Sequence, residues 1–258
     1  MLSLEEFIAK TNSASSQEEV FEIFRKALSY IGYDRVLYSL LTDHPSINKK
    51  AGHGLIRNYP DDWMQYYTEN GYVHLDPVIK NAFTTSATYT WNGLIKTKKL
   101  SKREKRVMDE CREAKLLDGA AVALYGPNME IAGVGLASSS GDINPDKNTL
   151  SIIRALANQF HIAYSEFDKQ QLNQQSSYIE LTPREREILS WSAEGKSIPV
   201  IACILSISDS VVKFHLQNIY RKLDVTDRTQ AVVKALYLGL INPNRILHLG
   251  NINHKMNT

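Results

Sequence analysis

The chain has 258 residues, 43% hydrophobic and 22% charged, with a formal net charge of +2. This length fits one large domain or two ordinary ones, and the mix is globular, which excludes a disordered or fibrous chain. No apolar run approaches the roughly 18 residues needed to span a bilayer. The start, MLSLEEFIAKTNS, carries early acids and does not read as a signal peptide, so a cytoplasmic protein with no membrane partner is expected.

Net charge is unevenly spread: −2 over residues 1–180, +2 over 181–242 and +2 over the tail 243–258. The mildly basic C-terminal third permits nucleic acid binding without establishing it. Cys111 and Cys203 lie far apart without a CxxC partner, so free buried thiols in a reducing compartment are expected. No histidine cluster has metal-ligand spacing, so neither metal nor cofactor is expected.

In chain order, SQEEVFEIFRKALSYIG reads as an amphipathic helix capped by Ser16 and stopped at Gly32. The β-rich run YDRVLYSLLT follows, then a loop around Pro45. YPDDWMQYYTENG reads as a short helix opened by Pro60 and two acids. SKREKRVMDECREAK is a charged helix capped by Ser101, and GAAVALYG with IAGVGLASS reads as a hairpin. DKNTLSIIRALANQFHIAYSEF is a long helix, apolar on more than one side. This order predicts an α/β/α sandwich around an antiparallel sheet, able to leave a ligand cavity between one sheet face and its helices. The Gln/Asn-rich strip at 169–180 reads as a linker, which makes 1–168 one domain.

From Leu181 to Asn242 the chain reads as four short helices, for an α+β protein overall. Thr182 and Glu185 form a capping box, with Pro183 at the first helical position. Ser197 and Ser208 cap the second and third helices. On the third, Val212, Leu216, Ile219 and Leu223 share the core stripe, whereas Ser210, Lys213, Phe214, Gln217 and Arg221 face away. A solvated face has little use for phenylalanine. In a major groove, an aromatic ring meets a thymine methyl while Lys and Gln reach base edges. Two short helices joined by a tight turn are helix-turn-helix geometry.

This segment resembles the LuxR-type helix-turn-helix domain, with Glu185, Leu189 and Gly195 at its signature spacing. The resemblance implies that Lys213, Phe214 and Gln217 read double-stranded DNA, with Arg221 and Lys222 near its backbone. Val200 stands where the family often has Glu, and Val211 where Thr is common.

Upstream, eight of the 23 aromatic residues crowd between Tyr59 and Trp91. Tyr59, Trp63, Tyr67, Asp76, Pro77, Trp91 and Gly119 have spacings that resemble the autoinducer-binding domain of LuxR-type quorum-sensing regulators. That resemblance implies an N-acyl homoserine lactone as ligand. Physically, Asp76 can accept the ligand amide N–H, Trp63 can donate its indole N–H to the lactone carbonyl, and Tyr59 can offer its hydroxyl to the amide carbonyl. Tyr67 and Trp91 then supply flat apolar walls, and Gly119 permits close backbone approach. Val78 and Gly135 stand where relatives often have Thr or Ser, so two hydroxyls are missing. Asp76-Pro77 also reads as a simple helix start, and the rings as core.

A ligand-gated transcription regulator is therefore expected, acting as a homodimer. Its candidate dimer surfaces are Thr149–Phe167 and a last helix bearing Ala231, Ala235 and Leu238, although core burial explains both nearly as well. One competing reading keeps the regulator but changes its input to a non-lactone molecule or a partner protein. Another makes Asp76 part of a lactone or amide hydrolase, but no Ser–His–Asp spacing or HxH metal motif accompanies it.

Overall fold

The computed structural model describes residues 2–127, 129–175 and 179–242, apart from the side chains of 171–175. The chain forms two compact units that divide after Gln175.

The first unit contains a five-stranded antiparallel sheet in the order β2-β1-β5-β4-β3. Its strands are β1 (Arg35–Leu40), β2 (Gly52–Arg57), β3 (Tyr89–Thr90), β4 (Leu117–Tyr125) and β5 (Ile131–Ser138). Helices α1 (Leu4–Asn12), α2 (Gln17–Ser29) and α7 (Lys147–Gln175) accompany α3 (Asp61–Glu69), α4 (Pro77–Ala82), α5 (Trp91–Thr97) and α6 (Lys102–Glu113). The expected α/β/α sandwich is present. The helix start read at Asp76-Pro77 is the start of α4, and the unforeseen elements are α1, α5 and the edge strands β2 and β3.

The helix starts follow their chemistry. Ser16 Oγ accepts the Glu19 amide at 3.2 Å, and Ser101 forms a reciprocal capping box with Glu104. Gly32 ends the α2 region with φ +102°. Nothing in FDKQQLNQQ stops α7, since Gln and Lys are good helix formers and no Gly or Pro intervenes. The helix therefore runs to Gln175, through the first part of the strip expected as linker.

Side-chain size differs between the two sheet faces. On one, Val36, Tyr38, Leu40, Val122, Leu124, Val134 and Leu136 pack into the main core with residues of α1, α2 and α7. Phe24 and Phe160 stack there at 4.4 Å, and the Tyr38 ring meets Phe160 edge-on at 5.2 Å. Ser39, Ala121, Gly133 and Gly135 are small, and they line a chamber with Leu37 under the second layer of helices. The antiparallel register sets Ser39 opposite Gly133 and Ala121 opposite Gly135. Because these side chains are small, they leave space where a core would be solid.

The second unit has α8 (Pro183–Ala193), α9 (Ile198–Leu205), α10 (Asp209–Leu223) and α11 (Arg228–Tyr237). Its core holds Leu181, Ile188, Leu189, Ile201, Val212, Leu216, Ile219 and Leu223. Helices α9 and α10 are bent by 108° across the Ser206–Ser208 break, within the helix-turn-helix range. Ala231 and Ala235 are fully buried in this core, so they present no dimer surface, contrary to that expectation. Leu238 packs partly buried at the core's edge. The weakly basic tail 243–258 lies outside the described residues. No single described helix is long and apolar enough to cross a membrane.

Candidate functional site

The chamber is small, with a cavity volume of about 70 Å³. Tyr59, Trp63, Tyr67, Asp76, Val78, Trp91 and Gly135 all line it. Pro77 and Gly119, expected to meet the ligand, are not on the lining. Pro77 is buried at the first position of α4. Gly119 has a tight fit, because a Cβ there would lie 2.1 Å from Trp91 ring atoms. The indole therefore rests on bare backbone. Gly119→Ala is expected to force Trp91 aside and destabilise the protein by about 2 kcal/mol, read as a lower Tm of the full chain.

Asp76 both caps α4 and faces the chamber. Its Oδ1 accepts the Val78 amide at 2.7 Å, and its Oδ2 accepts the Tyr67 hydroxyl at 2.8 Å. Burial raises its carboxyl above the ordinary carboxylate range, opposed by those hydrogen bonds. Tyr67 is thus more than a wall, because it orients the carboxylate. Burial, with Asp76 close by, pushes the Tyr67 and Tyr59 hydroxyls well up, so both stay protonated.

Two buried polar atoms of the lining residues, Tyr59 Oη and Trp91 Nε1, have no hydrogen-bond partner among the described residues. A Cβ on Gly135 would lie 3.3 Å from that Tyr59 oxygen. Trp91 therefore holds an unused donor as well as an apolar face. The surrounding rings interlock: Trp63 meets Tyr67 edge-on at 5.8 Å, and Tyr67 meets Tyr72 at 5.7 Å. Tyr72 is buried, its hydroxyl donating to Glu110, while Tyr66 is exposed at 38%. Sequence reasoning missed Ser39, His53, Tyr89 and Cys111 on the lining. The alternation Leu37, Ser39, Leu41 along one strand face was the available signal.

In the second unit, Ser210, Lys213, Phe214, Gln217 and Arg221 are exposed on α10, with Phe214 at 59%. Ser208 caps the helix, and its hydroxyl lies 2.7 Å from that of Ser210. Lys222, expected near the DNA backbone, is also held from the protein side. Its ammonium donates to Glu185 Oε2 at 2.7 Å and to the Glu180 carbonyl at 3.0 Å. Glu185 is 3% exposed, so Lys222 is the counter-ion of a buried carboxylate. Arg228 similarly ties α11 to the end of α8, donating to the Ser192 carbonyl at 2.9 Å. Among the described residues no group of His, Cys, Asp and Glu could hold a metal ion.

A ring-lined chamber in one unit and a helix-turn-helix in the other define a two-domain, ligand-responsive regulator. Residues 16–164 match the model of the autoinducer binding domain, and residues 180–235 that of bacterial regulatory proteins of the luxR family. The chain belongs to the LuxR family of quorum-sensing transcriptional regulators, which bind DNA and are not enzymes. It is 28% identical to the transcriptional activator protein LuxR of Aliivibrio fischeri, over 92% of this chain and 94% of that one. It is 30% identical to the quorum-sensing regulator RhlR of Pseudomonas aeruginosa, over 86% and 89% of the two chains. The crystal structure of Escherichia coli SdiA superposes with a TM-score of 0.68 at 25% identity, covering 92% of this chain and 97% of that one.

Proposed function

We propose that the autoinducer of this regulator is an N-acyl homoserine lactone, and that its binding controls the recognition of operator DNA. The observation that carries this reading is one acidic acceptor, Asp76, beside the unpartnered buried Tyr59 Oη and Trp91 Nε1 in a largely apolar chamber. The ligand has the matching pattern: an amide N–H, two carbonyls and an apolar chain. Its amide donates to Asp76, and a charged acceptor strengthens that bond. Tyr59 Oη donates to the amide carbonyl and the Trp63 indole to the lactone carbonyl. Trp91 and Tyr67 flank the guest. No cofactor is required.

A ligand that binds only the folded chain stabilises it by mass action, by about 2.7 kcal/mol at a hundredfold excess over Kd. The regulator acts in the cytoplasm as a homodimer. It places two α10 helices in successive major grooves, about 34 Å apart. Lys213, Phe214 and Gln217 reach base edges, while Ser210 and Arg221 steady the helix on the backbone. Exposed Ile152 and Ile162 on α7 are available apolar contacts for the dimer.

The test is expression with and without a panel of acyl homoserine lactones, reading soluble yield and Tm. At least one lactone is expected to raise both. Trp63→Phe keeps the ring packing but removes the donor, so it is expected to weaken the response about tenfold and leave the ligand-free Tm nearly unchanged. A mutant whose response equals the parent's removes the indole bond from this account. A chain that responds to no lactone, but does to another small amphiphile, moves the reading to a non-lactone input.

A further inference from the structure

Val211 stands in the first turn of α10, ahead of Lys213, Phe214 and Gln217. Ser208 Oγ caps the helix there and accepts the Val211 amide at 3.4 Å. The valine side chain is 39% exposed and takes no place in the core of its unit. Phe214 follows three residues on, at 59% exposure. Residues at that spacing are neighbours on a helix surface, so the two form one apolar strip. A single exposed valine is ordinary on a protein surface. A valine joined to an exposed phenylalanine, at the start of the second helix of a helix-turn-helix, calls for a partner.

At about 100° per residue the outer face of α10 divides lengthwise. Lys213 and Gln217, four residues apart, form one edge. Val211 and Phe214 form the other, and Ser210 and Arg221 lie between them. The polar edge offers hydrogen bonds to base edges, and the apolar edge offers none. In a major groove, the C5-methyl of thymine is the feature an apolar side chain can cover. The exchange of one hydroxyl for a methyl decides what residue 211 can do. Threonine, common in the family at this position, can bond a phosphate oxygen; valine has no donor and cannot. The positive frame of Lys213 and Arg221 suits a polyanion. An apolar protein surface laid over the strip would cover both cations at a cost.

We infer that Val211 is a base-reading residue in this chain, and that with Phe214 it covers the methyl groups of adjacent thymines in each operator half-site. The two residues are about 4.5 Å apart along the helix axis, at about 1.5 Å per residue. Successive bases of one strand are about 3.4 Å apart, so the strip spans one to two base pairs. This inference rests on α10 entering the major groove, and it adds a sequence preference that a threonine at 211 would not give.

The test selects DNA duplexes from an unmethylated random pool with the full-length chain, alone and with each lactone of the panel. Thymine is then the sole source of the methyl group. The enriched half-site is rebuilt with deoxyuridine for thymine, one position at a time, which removes only that methyl. The parent is expected to lose affinity about fourfold at each of two adjacent positions. Val211→Thr keeps the shape of the side chain and is expected to become indifferent to the methyl at one of them; Phe214→Ala is expected to become indifferent at the other. Both side chains are exposed, so both variants are expected to melt with the parent. A half-site without adjacent thymines, a parent indifferent to deoxyuridine, or a Val211→Thr variant as sensitive as the parent at both positions overturns the strip and leaves α10 in the groove. A chain that enriches no duplex overturns both readings.

Discussion

Asp76→Asn is expected to separate ligand recognition from folding. Asparagine caps a helix about as well as aspartate, so the bond to the Val78 amide has a replacement acceptor. The charge does not. A neutral acceptor holds the lactone amide less strongly, by about 1 kcal/mol or more, and the partner of the Tyr67 hydroxyl is altered at the same time. Ligand affinity is expected to fall by about tenfold or more. The ligand-free protein behaves differently, because burial raises the Asp76 carboxyl above its unfolded value. A carboxyl whose folded pKa is raised costs stability once pH exceeds its unfolded pKa, and that cost disappears as pH falls through this window. At neutral pH the neutral amide is therefore expected to leave the ligand-free Tm unchanged or higher. Asp76→Ala removes both functions: the ligand response falls equally, and losing the cap costs about 1 kcal/mol. Thermal melts of the three proteins with and without lactone decide this. An asparagine variant with the parent's full ligand shift would show that the carboxylate does not hold the ligand.

The parts of this site that sequence reveals are those written locally. Ser16, Ser101 and Thr182 announce their helices because a cap and the amide that donates to it lie within one turn. The aromatic window is legible because its residues are close in sequence and chemically conspicuous. The chamber floor is not. Ser39, Ala121, Gly133 and Gly135 are individually bland, and only the antiparallel register of β1, β4 and β5 gathers them. The strand GHGLIR was missed because two glycines and a histidine weaken its β signal. The helix α1 has a full capping box at Ser3 and Glu6, but it is short and buries only Phe7 and Thr11. Ala231 and Ala235 show the opposite problem. Small apolar residues fit a dimer seam or a tight core equally well, and only burial distinguishes them.

Lys222 provides the second large effect, since helix position and contact point to different partners there. It neighbours Arg221 on α10, so position suggests a phosphate contact. Its ammonium also neutralises Glu185, 37 residues away on α8. Lys222→Ala is expected to lower the stability of the helix-turn-helix unit by about 2 kcal/mol, because it strands a carboxylate that is almost fully buried. Burial pushes the Glu185 carboxyl up, but hydrogen bonds from Lys222 and Thr182 outweigh it and hold the group below its ordinary value. A depressed folded pKa gives stability that is present above the unfolded value and lost as pH falls through the folded one. The parent is therefore expected to lose this contribution below about pH 4.5, and Lys222→Ala to lose much less there. Lys213→Ala and Phe214→Ala are expected to do the converse. Both side chains are exposed, so Tm should stay within about 0.5 kcal/mol equivalent of the parent. DNA affinity should fall: Phe214→Ala in a sequence-dependent way, and Lys213→Ala with a shallower salt dependence if it also meets phosphate. Melting curves and DNA titrations at two salt concentrations separate the cases. A Lys222→Ala variant with the parent's Tm but weakened DNA binding would return this lysine to the DNA surface and leave Glu185 in need of another partner.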